Sequence, residues 1–152
     1  MIELDTIDRR LLRELVHDAT QPASTLGRKL GLSQPATWRR IRRLYDSGVI
    51  KGQRLDLDHD QLGFGVTVFL GVKLATKGRV SIDDFERAVS AIPEVQTVEH
   101  ILGLYDYRLR VVARDISDFE RVLRRCIMML PGVGDVEANV ILSEERRPGP
   151  IG

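Results

Sequence analysis

The chain has 152 residues, of which 43% are apolar and 30% charged, with 23 Lys and Arg against 22 Asp and Glu. That balance suits one globular domain or two small ones and excludes a disordered or fibrous chain. No apolar run approaches the roughly 20 residues of a membrane span, and the start MIELDTID lacks the basic and apolar regions of a signal peptide, so a cytoplasmic protein without membrane partners is expected. The single cysteine, Cys126, excludes an intrachain disulfide, and its place in an apolar helical pattern assigns it to packing rather than to redox chemistry.

Asp5 is an N-cap for a first helix whose apolar positions Ile7, Leu11, Leu12, Leu15 and Val16 keep the 3.6-residue period to about Asp18. After Gln21 and Pro22 a short second helix carries Leu26 and Leu30 and stops at Gly31, with Gly27 small enough to admit a close neighbour. Ser33 then caps a third helix, SQPATWRRIRRLYDSG, in which Pro35 falls in the first turn, where its missing amide costs nothing, and Gly48 supplies the stop. Trp38, Ile41, Leu44 and Tyr45 form its apolar stripe, and Trp38 is assigned to the core in preference to base stacking. Four arginines and one acid, Asp46, give this segment a local charge of +3.

Helix, short turn and capped basic helix make a helix-turn-helix, whose second member enters the major groove of duplex DNA. Net charge does not announce this function: residues 1 to 62 hold eleven Lys or Arg against nine acids, and residues 63 to 152 twelve against thirteen. The argument rests on where the arginines sit. Gln34 and Arg39 are assigned to base edges, and Ser33, Arg40, Arg42 and Arg43 to phosphate positioning or helix docking. Pro35 and Thr37, in the same first turns, complete the DNA-facing set.

Past Gly48, VIKG and RLDLD read as two extended pieces broken at Gly52, a small β wing bearing Lys51 and Arg54, which either face DNA or are merely solvated. The turn-rich DHDQLG stretch from Asp58 to Gly63 marks a boundary. Val66, Val68, Leu70, Val72 and Leu74 then alternate as a half-buried strand, a helix starts near Ser81, and two strands, roughly Val95 to Leu102 and Asp106 to Ala113, are joined through Gly103. A further helix takes Phe119, Val122, Leu123, Cys126 and Leu130 inward, and a last strand runs through Val136, Ala138, Val140 and Leu142. The order βαββαβ is the split ferredoxin-like motif. The fold class is therefore α+β, divided into a winged helix-turn-helix over 1–52, a wing strand and linker over 53–63, a βαββαβ domain over 64–143 and a flexible tail over 144–152.

Six stretches in register with these elements, LDTIDRRLL (4–12), LGRKLGLS (26–33), RRIRRLYDSGVIKG (39–52), LG (62–63), GLYDY (103–107) and LPGV (130–133), resemble the Lrp/AsnC, or feast/famine, family of transcription regulators. The resemblance covers nearly the whole chain. It implies a winged helix-turn-helix joined to an αβ effector-sensing domain that pairs into homodimers and assembles further into tetramers or octamers. One short helix covers only a half-site, and two half-sites about 34 Å apart independently favour a dimer.

The resemblance also places a small-molecule effector between dimers, around the turn from the second to the third strand. The candidate residues are Leu102, Gly103, Leu104, Tyr105 and Asp106, with Val136 and Ala138 on the last strand. Gly103 admits backbone approach and Asp106 can accept hydrogen bonds from an amino group, although both residue types also suit a plain hairpin turn. This chain departs from the family here: Leu102 stands where Ser or Thr is frequent, Leu104 where Asp is frequent, and Val136 and Ala138 where threonines are frequent. Those departures point to an apolar amino acid or another largely apolar metabolite, or to lost sensing.

Two rival readings stand beside this one. Some haem-biosynthesis decarboxylases resemble this two-part fold, and His100 with Arg108 and Arg110 is a set that such an enzyme could use for a sirohaem-type tetrapyrrole, with the histidine as proton donor or iron ligand. Yet His17, His59 and His100 are scattered, with no metal-ligand spacing and no nucleophile or phosphate-cradling motif, so neither enzyme chemistry, nor a metal, nor a cofactor is expected. The other rival is an effector-binding or assembly module that does not bind DNA.

Overall fold

The computed structural model describes residues 2–75 and 78–151, the side chains of 79–81 excepted. Met1, Thr76, Lys77 and Gly152, which fall within the expected domain ranges, lie outside the described residues, as does the side chain of Ser81. Contacts divide the chain into two compact units, Met1–Asp56 with Glu145–Gly152, and Leu57–Glu144.

The first unit holds three helices, α1 (Thr6–His17), α2 (Ala23–Leu30) and α3 (Gln34–Asp46). A capping box starts α1: the Asp5 carboxylate accepts from Asp8 N at 2.7 Å, and Asp5 N donates to the Asp8 carboxylate at 3.2 Å, so two otherwise orphaned amides are satisfied together. Gly31, at φ 70°, ends α2 in the left-handed conformation that favours glycine. Leu11, Leu12, Leu26, Leu30 and Leu44 close the core, with Leu15, Ile41 and Ile50 packed on it. Gly27 admits a close neighbour, as its position suggested. A Cβ there would lie 2.7 Å from the Leu32 carbonyl oxygen and 2.9 Å from Thr37 Oγ1, so the turn between α2 and α3 packs onto a surface that only glycine leaves clear.

Two features of this unit differ from expectation. Residues 51–58 form no strand and pair with none among the described residues, so the expected wing is a bare segment: two short pieces offer too few ladder bonds to hold a hairpin without a third strand. The tail is not loose throughout, because its described residues, 145–151, belong with the helices. Ile151 packs against the leucine core and its carbonyl accepts from Arg9 Nη1 at 3.0 Å. An apolar residue placed after Pro148 and Pro150, whose fixed φ limits the freedom to be lost, has reason to dock.

The second unit is the βαββαβ motif: β1 (Val66–Leu74), α4 (Arg79–Val89), β2 (Val95–His100), β3 (Tyr107–Ala113), α5 (Ile116–Val122) running into a π turn (Leu123–Ile127), and β4 (Val133–Val140). The sheet order is β2-β3-β1-β4, antiparallel throughout. Period-2 alternation sends Val68, Leu70, Val72 and Leu74 of β1 and Tyr107, Leu109 and Val111 of β3 to one face, where Phe85, Val89, Phe119, Val122 and Ile127 from the helices cover them. Thr67, Phe69, Gly71 and Lys73 alternate onto the opposite face. α4 begins at Arg79 rather than near Ser81, with Gly78 as its N-cap. The Asp118 carboxylate ties α5 to the end of β3, accepting from Arg114 N at 3.1 Å and from the Arg114 and Arg121 guanidinium groups. Those bonds, the Arg114 side chain foremost, hold Asp118 well below the usual carboxylate range.

Candidate functional site

The Ser33 hydroxyl accepts from Ala36 N at 3.3 Å and sets the start of α3, with Pro35 in its first turn. Thr37 and Leu44 point fully into the core, and Ile41 is half-buried. Thr37 is thereby corrected from the DNA-facing set: it is 0% exposed, and its hydroxyl donates to the Ser33 carbonyl at 2.9 Å. Its proximity to Gly27 leaves it no surface to offer a ligand.

The four arginines of α3 fall into two pairs. Arg40 Nη1 donates to Asp5 at 2.7 Å and to Asp8 at 2.8 Å, and Arg43 bonds the other oxygen of Asp8. Asp8 is 0% exposed, so one buried carboxylate on α1 anchors two arginines of α3. The hydrogen bonds that Arg40 donates to Asp5 first and Asp8 second raise it above its ordinary range, while bonds from the Asp8 amide and from Arg40 lower Asp5. Arg39 is exposed with no ion pair among the described residues. Arg42 lies over the Trp38 ring at 5.3 Å and 3.9 Å from Asp46, both contacts exposed.

Trp38 overturns its assignment to the core: it is 53% exposed, beside Arg42. Tyr45 is also at the surface. The apolar stripe was read too wide, because Thr37, a polar residue with a hydroxyl satisfied inside the helix, takes the inward position instead. Gln34, Pro35, Trp38 and Arg39 are exposed in the first two turns of α3, and Arg42 in the third. Lys51 and Arg54 are exposed on the unpaired segment, with no hydrogen bond or ion pair to α3 among the described residues.

In the second unit the expected effector residues divide between the two faces of the sheet. Leu102 is fully exposed and Leu104 largely so, on the loop between β2 and β3, with open space where a Gly103 side chain would stand. Tyr105 lies over Gly71, where an added Cβ would come within 2.6 Å of its ring, and its hydroxyl donates to Glu137. That bond shifts the pair apart, Tyr105 upward and Glu137 downward. The Asp106 carboxylate accepts from Leu74 N at 2.8 Å, and Asp106 N donates to the Val72 carbonyl at 2.9 Å, which engages Asp106 in closing the loop onto β1. Val136 and Ala138 pair with Val72 and Leu70, on the face turned to the helices. Glu137 pairs with Gly71 on the other face, with Tyr105.

Gly71 and Glu137 were missed in the sequence, although a glycine inside the strand VFLGVKL is itself a sign of close approach. The tetrapyrrole set does not converge: His100 stacks on Tyr107 at 4.8 Å, while Arg108 and Arg110 project from the opposite face and bond Glu99 and Glu144. Among the described residues no His, Cys, Asp and Glu cluster suits a metal ion, and no helix is long and apolar enough to cross a membrane.

Residues 4–45 match the AsnC-type helix-turn-helix domain, and residues 67–151 match the Lrp/AsnC ligand binding domain. The chain is 31% identical over 146 residues to the transcriptional regulator AzlB of Bacillus subtilis, covering 96% of this chain and 93% of that one. A solved AsnC family transcriptional regulator from Agrobacterium tumefaciens superposes with a TM-score of 0.87 at 32% identity, over 95% of this chain and 94% of that one. A regulator from Neisseria meningitidis solved as an L-Met complex shares the fold, with a TM-score of 0.90 at 24% identity over 95% and 94% of the two chains. These relatives are regulators rather than enzymes. A reading helix and a ligand-binding sheet, matched in that order along one chain, make this protein a DNA-binding transcriptional regulator that belongs to the Lrp/AsnC family.

Proposed function

We propose that the protein acts in the cytoplasm as a sequence-specific regulator that binds duplex DNA as a homodimer or a higher even oligomer. Gln34 and Arg39 read base edges, Arg42 and, at the helix start, Ser33 and Pro35 face the phosphate backbone, and Lys51 and Arg54 add flanking charge. Arg40 and Arg43 act through helix docking. The observation that carries this reading is the division of α3, which exposes Gln34 and Arg39 in its first two turns and Arg42 in the third while Asp5 and Asp8 anchor its other side. A recognition helix works when its first turns face the groove and its orientation is fixed.

The second unit senses a small, largely apolar metabolite such as an apolar amino acid. Support comes from Leu102 and Leu104 at the loop surface and from the engagement of Asp106 with Leu74 N. An octamer or tetramer brings such loops together.

The test is fluorescence anisotropy of the protein on labelled DNA from upstream of its own gene, with random duplex as competitor at about 0.15 M salt, a concentration at which phosphate contacts are already strongly screened. Saturable binding that survives competitor and is abolished by Arg39→Ala with Arg42→Ala is expected. A dimer making on the order of six phosphate contacts loses roughly a thousandfold in affinity between 50 and 200 mM salt. A flat salt response, or indifference to the double substitution, supports an assembly module without DNA binding.

A further inference from the structure

We infer that Trp38 is a specificity-determining residue that reads thymine methyl groups in the major groove. This rests on the DNA-binding reading above and extends it to the class of base recognised. An apolar ring on the working face of a basic helix has few partners to gain from. Phosphates and base-edge donors and acceptors are polar, and the C5-methyl of thymine is the apolar group that base edges present in the major groove.

At about 100° per residue, Trp38, Arg42, Pro35 and Arg39 occupy one sector about 100° wide. All four are exposed, whereas Thr37, Ile41 and Leu44 face inward. The ring therefore stands at one edge of that sector, with Arg42 next to it and Arg39 at the far edge, the two arginines that the acids of α1 do not hold. Arg42 at 5.3 Å over the ring, itself 3.9 Å from Asp46, forms a ridge at i, i+4 and i+8. Such a contact limits the rotamers of a half-exposed indole before DNA arrives and lowers the ordering cost of binding. Charge directs the ring to the duplex and the ring selects the base.

The probe is the duplex from upstream of the gene, prepared once with thymine and once with deoxyuridine in every thymine position, so that only methyl groups differ. Burying one methyl changes affinity by about fourfold, and a symmetrical pair of half-sites by on the order of tenfold. Wild-type protein is expected to lose that factor on the uracil duplex. Trp38→Ala should bind the thymine duplex about as weakly as wild type binds the uracil one and show no further loss on uracil. Trp38→Phe, which keeps a ring, should retain part of the discrimination.

Trp38 is the only tryptophan, so its emission in the unmodified protein should shift with the thymine duplex and less with the uracil duplex, a readout that needs no variant to fold. Equal wild-type affinity for the two duplexes overturns the inference, as does a Trp38→Ala variant that still discriminates them. Absence of binding to either duplex overturns the underlying DNA-binding reading instead, and this inference falls with it.

Discussion

The sharpest consequence of the arginine pairing is that Asp8, which touches no ligand, should matter more to the first unit than any arginine it holds. Asp8→Asn preserves volume but removes the charge that accepts from Arg40 and Arg43 and returns a bond to Asp5 N. A charge-assisted hydrogen bond contributes about 1.5–3 kcal/mol when its partners are buried. The Arg40 and Arg43 side chains are 27% and 47% exposed and regain water when released, so about 1 kcal/mol each is the working figure. Weakening the capping box adds roughly 0.5–1 kcal/mol. A total near 3 kcal/mol should lower the melting temperature of a small unit by more than about 10 °C. Thermal unfolding followed by circular dichroism measures this, with Asp5→Asn as the milder control. A second readout is the salt dependence of DNA binding. Arg40→Gln and Arg43→Gln should leave its slope unchanged, whereas Arg42→Gln should reduce it by about 0.9 for each protomer bound. A loss under about 3 °C for Asp8→Asn, or a reduced slope for Arg40→Gln, refutes the division into anchoring and reading arginines.

Three further outcomes follow from the second unit. Gly71→Ala places a methyl within 2.6 Å of the Tyr105 ring, close enough to displace it and break its bond to Glu137; a loss of about 1–3 kcal/mol in denaturant unfolding is expected. The Asp118 carboxyl is held below its unfolded value of about 3.9, so its contribution is fully present above that pH and is lost as pH falls towards the folded value. Asp118→Asn should therefore be less stable than wild type at neutral pH, with the gap closing below about pH 4, where the unfolded carboxyl is already protonated. Calorimetry with the twenty amino acids should give heat only with apolar members, and tight binding of a polar one contradicts the effector reading.

The fold was largely legible because its signals were local and redundant. Asp5 and Ser33 cap the helices they were expected to cap, and the β1 alternation of Val68, Leu70, Val72 and Leu74 faces the core as read. What escaped depended on residues far apart in sequence. Asp8 looks like an ordinary first-turn acid until α3 brings Arg40 and Arg43 to it, 32 and 35 positions away. Trp38 misled because it continues the apolar stripe with Ile41, yet Thr37 took the inward place through a hydroxyl already bonded to Ser33. The docking of Ile151 on the helices was not legible at all, since a charged and Pro/Gly-rich ending carries no periodicity to read.

The arrangement of the arginines also says where binding strength must come from. Of the four arginine charges on α3, those of Arg40 and Arg43 are matched by Asp5 and Asp8, and that of Arg42 is partly offset by Asp46. A single protomer thus presents little unmatched charge, and because non-specific DNA affinity grows with the number of phosphates neutralised, its own hold on DNA is weak. Linking two or more protomers converts the second contact into an intramolecular one and multiplies affinity by the effective concentration of the linked helix. On the proposed reading, an effector that alters the pairing or spacing of protomers therefore controls DNA binding through assembly, without touching α3. Sequence discrimination, in contrast, stays with the few side chains that α3 exposes, which is why a half-exposed tryptophan beside Arg42 weighs more in this protein than its share of the surface suggests.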